Sequence, residues 1–261
     1  MRSVLCVAAF VCLCSAPLQA ADERRATAAG EPRAAALLEQ AARTRYTWSA
    51  SVTAVSGKVT WTQDGQTGSG TFRAELHKRG GMHFTADAGE VPSDVQEHVG
   101  SLIGHRTPPK AGGPQARPAA ATILVEDETN GPLIMLVNDA LQSTERVKDG
   151  KLVQVNRRMG GKRFTIDVTE FAPAGDGRFY PSHFTVTWWN GQTGKRVEKQ
   201  TYSTEGFYRV EGQMFPRAEK VVSVKSGKTD TLELRYSDIK FEHERGAAAA
   251  ASEGGSVSPR R

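Results

Sequence analysis

The chain has 261 residues, of which 38% are hydrophobic and 24% are charged, an ordinary globular mixture that can bury a sizeable core. Its formal net charge of +5 is scattered, since no run of lysine and arginine exceeds two residues. A nucleic-acid-binding domain would concentrate its basic residues on one face among aromatic side chains, so we expect no nucleic-acid partner.

The first 20 residues are predicted to be a secretory signal. Arg2 precedes an apolar run at residues 4–16, and small residues follow at Ala20 and Ala21, where cleavage is expected. The alternative is a buried N-terminal helix. A membrane-spanning helix needs about 20 apolar residues, so the run is too short to span and no transmembrane segment is expected in the mature chain.

All three cysteines, Cys6, Cys12 and Cys14, lie inside this signal. The mature protein is therefore expected to lack disulfides, thiolate zinc sites and thiol nucleophiles. We expect an exported protein, periplasmic or extracellular, that is stabilised by its hydrophobic core.

The remaining chain divides by composition. Residues 21–31 and the tail at 246–261 are rich in small and polar residues, and both are predicted to be disordered. Residues 32–245 between them are predicted to form a single β-rich domain. A Pro/Gly-rich stretch at 107–121 is predicted to be a long loop within that domain, with an interdomain linker as the alternative.

Two short helices are predicted. The first covers about residues 32–45, with Pro32 suited to its first position. The second covers about residues 94–104, and Ser93, just before it, has the spacing of a capping box with Gln96. His105 and Arg106 follow the second helix, where a cation suits the helix macrodipole; an anion-binding role is the alternative.

Most other segments alternate apolar and polar residues with a period of two. Phe164, Ile166 and Val168, for example, share one face of a predicted strand. Glycine at a hairpin turn supplies the positive φ that such turns need. Six pairs between alternating runs are therefore predicted to be turns: Ser56-Gly57, Asp64-Gly65, Asp149-Gly150, Gly160-Gly161, Asn190-Gly191 and Ser226-Gly227.

These elements predict an α+β, mainly β fold, a curved antiparallel meander that forms a half-barrel or open barrel with two short helices. Many strands are apolar on one face, and two helices cannot cover so much apolar surface. The sheet is therefore expected to curl, and a curled sheet with few helices can leave an interior cavity for a ligand.

Several short segments resemble, in this order, a bacterial and mainly cyanobacterial family that is classed as a domain of unknown function: Arg45-Tyr46-Thr47-Trp48, Leu102-Ile103-Gly104-His105-Arg106, Val155-Asn156-Arg157-Arg158-Met159-Gly160 and Phe164-Thr165-Ile166. The resemblance covers about residues 32–241 and implies no activity. The overall plan also looks like the periplasmic lipoprotein carriers of the LolA/LolB type. That likeness is one of architecture alone.

No catalytic residue, metal ligand or cofactor is predicted, because the sequence contains no HExxH, no GxSxG and no distinctive pair of carboxylates. Arg157 and Arg158 lie next to each other on a predicted strand, so at most one of them faces the interior. Two solvated arginines are the alternative; an interior arginine would anchor a headgroup or carboxylate. The predicted ligand contacts are Trp61, Phe164, Ile166, Val168, Phe184, Val186, Trp188 and Arg157.

We therefore favour a noncatalytic periplasmic binder or carrier of an apolar or amphipathic ligand, such as a lipid or acyl chain. The alternative is an envelope scaffold or interaction protein that has a filled core and uses the Pro/Gly loop or a sheet edge to bind an envelope protein. The third hypothesis is an enzyme whose site has no recognisable motif.

Overall fold

The computed structural model describes residues 31–76, 82–86, 91–108 and 120–244. The predicted signal, the predicted tail and residues 21–30 lie outside this part of the chain, as does most of the predicted loop at 107–121. The described residues form two helices and twelve strands: α1 Pro32–Thr44, β1 Val52–Gln63, β2 Gln66–Leu76, β3 Met82–Ala86, α2 Ser93–Gly104, β4 Ala121–Val125, β5 Leu133–Leu136, β6 Thr144–Lys148, β7 Lys151–Met159, β8 Lys162–Gly175, β9 Arg178–Asn190, β10 Arg196–Val210, β11 Gln213–Lys225 and β12 Lys228–His243.

The twelve strands make one antiparallel sheet in the order β3-β2-β1-β12-β11-β10-β9-β8-β7-β6-β5-β4. Each hairpin pairs neighbours in sequence, while the pairing of β1 with β12 joins the two ends of the described chain. Within the described residues β3 and β4 are the two edges, so the sheet stays open. The predicted mainly β, open antiparallel meander is confirmed.

Five of the six predicted turns join consecutive strands, as at Asp64 and Gly65, where φ is 51° and 79°. Ser56-Gly57 is wrong as a turn, because both residues lie inside β1 beside a register shift. A Cβ on Gly57 would lie 2.5 Å from Cδ1 of Ile239, so this glycine permits a close approach between strands.

Both predicted helices are present, but only the start of α1 agrees with the prediction. Pro32 opens α1 as expected. The capping box predicted at Ser93 is wrong, because Ser93 is already helical and Pro92 precedes the helix without a side-chain cap. The Gln96 side chain instead donates a hydrogen bond to the Val91 carbonyl at 2.8 Å.

Each helix covers one end of the sheet. The buried residues of α1 are Ala34, Leu38 and Ala41, which pack with Ala121, Ile134 and Val147 over the β4–β6 end. The apolar side chains of α2 belong to a larger core at the other end, formed with β1, β2, β11 and β12. Neither helix is long and apolar enough to cross a membrane.

Candidate functional site

A band of apolar side chains crosses β8 and β9 between the two helices, and we call it the apolar stripe. Phe164 pairs with Trp188 across the strands, and Ile166 pairs with Val186. Apart from Val186, which is buried, these side chains are half-buried. Six of the predicted ligand contacts lie on one face of these two strands, and they define the stripe: Phe164, Ile166, Val168, Phe184, Val186 and Trp188.

Ring contacts extend the stripe toward α2. The rings of Phe164 and Trp188 have centroids 4.9 Å apart at one end. At the other end Phe184 stacks on Tyr202 of β10 at 4.5 Å, and Tyr202 stacks on His98 of α2 at 5.6 Å. Tyr202 and His98 were not predicted as part of the site, because their proximity depends on how α2 crosses the sheet.

The opposite face of the same strands is polar. Asn156 on β7 accepts a hydrogen bond from Thr165 on β8 at 2.8 Å, and Gln154 donates one to Asp167 at 2.6 Å. A side chain on this face can therefore be changed without touching the stripe, which supplies matched controls.

Trp61 is placed apart from the other predicted ligand contacts. It lies on β1, with β12, β11 and β10 between it and the stripe, and only 8% of it is exposed. Its ring packs on Gly68 of β2, where a Cβ would lie 2.3 Å from Cζ2 of Trp61. The structure therefore brings Trp61 into the packed core at the α2 end of the sheet.

We expect Gly68→Ala to lower the free energy of unfolding by about 1–3 kcal/mol, because the added methyl overpacks a rigid indole ring. Urea denaturation followed by far-UV circular dichroism measures the change. Gly100→Ala is the control, since a Cβ at this helical glycine of α2 meets Met82 at an ordinary 3.7 Å. Alanine there should raise stability by about 0.5–1 kcal/mol. Equal stability of the Gly68→Ala variant and the wild type would contradict the packing described for Trp61.

Arg157, the predicted polar anchor, lies on β7 directly opposite Phe164. Its guanidinium is 3.6 Å from the Glu145 carboxylate of β6, whose side chain is only 13% exposed. Desolvation raises the pKa of Glu145, and the positive charges of Arg157 and Arg45 oppose that rise. Arg158, by contrast, is exposed and donates a hydrogen bond to Gln142. The alternation of the strand thus separates the two arginines as predicted.

Two further arginines approach the same region from the ends of the helices. Arg45 follows α1 and pairs with Phe179 at the start of β9. Arg106 follows α2, and its guanidinium lies 3.6 Å above the ring of Tyr180, the next residue of β9. Its carbonyl accepts a hydrogen bond from the Trp48 backbone at 2.8 Å. The proximity of these arginines was not predicted from the sequence.

A buried carboxylate ties α2 to the sheet. Glu219 of β11 accepts a hydrogen bond from the Tyr236 hydroxyl at 3.0 Å. Its carboxylate also lies 3.1 Å from Nε2 of His98 on α2. Desolvation by burial raises the pKa of Glu219, but these hydrogen bonds and the charges of His98 and Arg106 outweigh it and hold the pKa below its usual value.

Two surface concavities lie away from the stripe. One of about 320 Å³ is beside the Gly160-Gly161 turn, and one of about 550 Å³ is beside Gly57 and Phe72. Neither is lined by a residue of the stripe. The stripe is thus a half-open surface between two helices, and its chemistry is apolar contact with aromatic rings and an arginine at the margin.

Comparison with solved structures finds weak likenesses over most of the chain. A LolA superfamily protein from Nitrosomonas europaea is 14% identical, with a TM-score of 0.37 and coverage of 80% of this chain and 93% of that one. A putative outer membrane lipoprotein-sorting protein domain from Vibrio parahaemolyticus is 8% identical, with a TM-score of 0.35 and coverage of 78% and 91%. A DUF1329 family protein from Desulfovibrio piger is 10% identical, with a TM-score of 0.29 and coverage of 85% and 96%.

No curated protein matches the sequence. The family prediction was a bacterial domain of unknown function over about residues 32–241. A family profile described as "Protein of unknown function (DUF3386)" matches residues 29–241, and the chain belongs to that family.

Proposed function

We propose that this protein is a noncatalytic binder or carrier of an apolar or amphipathic ligand, such as a lipid or acyl chain, and that it acts outside the cytoplasm. The observation that carries the proposal is the apolar stripe. Helices cover both ends of one sheet face, while Phe164, Ile166 and Trp188 in the middle remain half-buried. Aromatic and branched side chains left open between covering elements are suited to contact a hydrocarbon chain.

The energetics favour long ligands. Each methylene removed from water contributes about 0.8 kcal/mol, so a chain of about ten methylenes contributes about 8 kcal/mol. Association costs at least about 4 kcal/mol in lost translational and rotational freedom. Short apolar molecules should therefore bind weakly, and acyl chains of about ten carbons or more should bind measurably.

Ile166→Trp tests the proposal at the centre of the stripe. Ile166 is half-buried, so the larger ring can be accommodated toward solvent, where it obstructs the surface. We expect the affinity for the neutral apolar probe N-phenyl-1-naphthylamine to fall about tenfold, or about 1.4 kcal/mol. Fluorescence titration of the purified full chain measures that affinity, and the melting temperature should change little.

Thr165→Trp is the matched control, because Thr165 is the adjacent residue and points to the polar face. It should leave probe affinity unchanged. Absence of probe binding by the wild type, or an equal loss of affinity in both variants, would show that the stripe is not a binding surface.

The scaffold hypothesis is kept as a second candidate because the sheet has two edge strands. Within the described residues β3 and β4 pair on one side only, and Val125 of β4 is 48% exposed. An exposed edge can add a strand from a partner protein. A wild-type chain that binds no apolar probe and co-purifies with a protein held at β4 would favour this candidate.

A further inference from the structure

We propose that the guanidinium groups of Arg45, Arg106 and Arg157 form a binding site for one anionic oxygen group, a phosphate or carboxylate, beside the apolar stripe. This inference rests on the proposed function and specifies its ligand as an anionic amphiphile. The three arginines come from different parts of the chain: one follows α1, one follows α2 and one lies on β7.

Backbone contacts bring the first two arginines together. Arg45 pairs with Phe179, and the amide of Tyr46 donates a hydrogen bond to the Phe179 carbonyl at 2.9 Å. Two residues later, the amide of Trp48 donates a hydrogen bond to the carbonyl of Arg106. Arg106 then lies over the ring of Tyr180, next to Phe179. The segment 45–48 thus holds both arginines at the start of β9.

Arg106 carries an unmet hydrogen-bonding requirement. The residue is only 8% exposed, and its Nε has no hydrogen-bond partner in the described part of the chain. The Nε of Arg157 is likewise buried and unpaired there. Leaving a buried donor unsatisfied is costly, and a bound oxygen anion would accept from such groups. Guanidinium groups are also the donors whose geometry best matches phosphate and carboxylate oxygens.

Several like charges lie close together in this region. Desolvation by burial, followed by the positive charges of Arg106 and Arg157, lowers the pKa of Arg45. The nearby carboxylates include Glu145, which is paired with Arg157, Asp139, which lies near both of them, and Glu219, which is held by His98 and Tyr236. The three guanidinium groups repel one another, and an oxygen anion bound between them would offset that repulsion.

His105 does not add a further positive charge to this region. Although His105 is exposed, desolvation and then the positive charges of Arg106, Arg45 and Arg157 lower its pKa to about 4. It is therefore neutral at physiological pH. Its neutral ring can donate or accept a hydrogen bond, and the positive charge that attracts the anion belongs to the arginines.

The position relative to the stripe determines which ligand the site suits. Arg157 is the cross-strand partner of Phe164, the first residue of the stripe. Tyr180, beneath Arg106, lies on the strand that carries Phe184 and Val186. An anionic headgroup at the arginines would therefore place its hydrocarbon chain along β8 and β9, on the half-buried side chains.

The test uses the full chain and three compounds: dodecyl phosphate, dodecan-1-ol and inorganic phosphate. Affinities are measured by isothermal titration calorimetry below the aggregation concentration of each amphiphile. We expect dodecyl phosphate to bind about tenfold or more tightly than dodecan-1-ol, as charge-assisted hydrogen bonds imply. Added salt should weaken the binding of dodecyl phosphate and leave the binding of dodecan-1-ol unchanged.

Arg45→Gln should lower the affinity for dodecyl phosphate about tenfold and leave the affinity for dodecan-1-ol unchanged. Arg43→Gln is the matched control, because it removes the same charge only two residues from Arg45. Arg43 is an exposed residue of α1 that pairs with Glu39. It should change neither affinity. If Arg45→Gln fails to fold by circular dichroism, Arg157→Gln replaces it, since that side chain is 35% exposed.

The outcomes separate the anion site from the proposed function. Equal affinities of the wild type for the phosphate and the alcohol, or an equal loss of both in Arg45→Gln, would overturn the anion site and leave the apolar stripe standing. If inorganic phosphate binds as tightly as dodecyl phosphate and dodecan-1-ol does not bind, the ligand of the site is a free inorganic anion and not the headgroup of an amphiphile. The arginine site would then stand, and the amphiphile and the proposed function would fail.

Discussion

Replacing Trp48 by alanine is expected to lower the free energy of unfolding by about 3–5 kcal/mol, the usual cost of deleting a large aromatic side chain from a packed core. Trp48 is 2% exposed and stacks on Phe215 with centroids 6.1 Å apart. Its ring also meets the edge of Phe241 at 5.1 Å, and Nε1 donates a hydrogen bond to the Met214 carbonyl at 3.0 Å. One side chain thus connects the segment after α1 to β11 and β12.

The measurement is urea denaturation at neutral pH, supported by the melting temperature, which should fall by about 10 °C for a chain of this size. Trp48→Phe separates packing from hydrogen bonding. It keeps an aromatic ring and leaves the buried Met214 carbonyl without its donor, which should cost about 1–3 kcal/mol. A loss below 1 kcal/mol for the alanine variant would contradict the described core.

This result bears on the segment Arg45-Tyr46-Thr47-Trp48, which contributed to the family resemblance. The hydroxyl of Tyr46 accepts a hydrogen bond from the Met214 amide at 2.6 Å, and Trp48 donates to the carbonyl of the same residue. Tyr46 and Trp48 thereby hold the segment against β11. Of the four residues, Arg45 alone is assigned to ligand binding, so Arg45 and Trp48 variants should separate binding from stability.

The apolar stripe could be predicted from sequence because it depends on local rules. Alternation places Phe164, Ile166 and Val168 on one face of β8, and it places Phe184, Val186 and Trp188 on one face of β9. The register that pairs them was not predicted, because three register shifts separate the stripe from the turn between the two strands. The same alternation separates Arg157 from Arg158. A meander needs no long-range information beyond these steps, which is why the open antiparallel sheet was also predictable.

The arginine site and the position of Trp61 could not be predicted in this way. Arg45, Arg106 and Arg157 are more than fifty residues apart from one another in sequence, and they meet because α1 and α2 end near the same strand. Trp61 alternates like a stripe residue, but the pairing of β1 with β12 places it at the far end of the sheet. Alternation assigns a side chain to a face and carries no information on its place across the sheet.

The turn predicted at Ser56-Gly57 was wrong for a related reason. A glycine after a polar residue is typical of a hairpin turn, and it is equally typical of a strand position that another chain segment approaches closely. Ile239 of β12 supplies that approach, and β12 lies at the opposite end of the sequence. Local sequence could not distinguish these two uses.

Glu219→Ala is expected to lower the free energy of unfolding by about 3–5 kcal/mol at pH 7, because it breaks a buried network and leaves its partners unpaired. Glu219 is 8% exposed and connects His98 of α2 with Tyr236 of β12. Urea denaturation measures the loss. Glu233→Ala is the control, since it removes a carboxylate whose ion pair with Lys220 is about half exposed, and exposed pairs contribute about 0–1 kcal/mol.

The same network predicts a dependence on pH that Glu219→Gln isolates. Because the pKa of Glu219 in the folded protein lies below its ordinary value of 4.5, its charged form contributes stability above pH 4.5, which is lost as the pH falls through the folded pKa. Other carboxylates titrate in this range, so the measured quantity is the difference in urea midpoint between wild type and Glu219→Gln. That difference should shrink as the pH falls below 4.5. A difference that stays constant down to pH 3 would show that the charge of Glu219 does not stabilise the contact between α2 and the sheet.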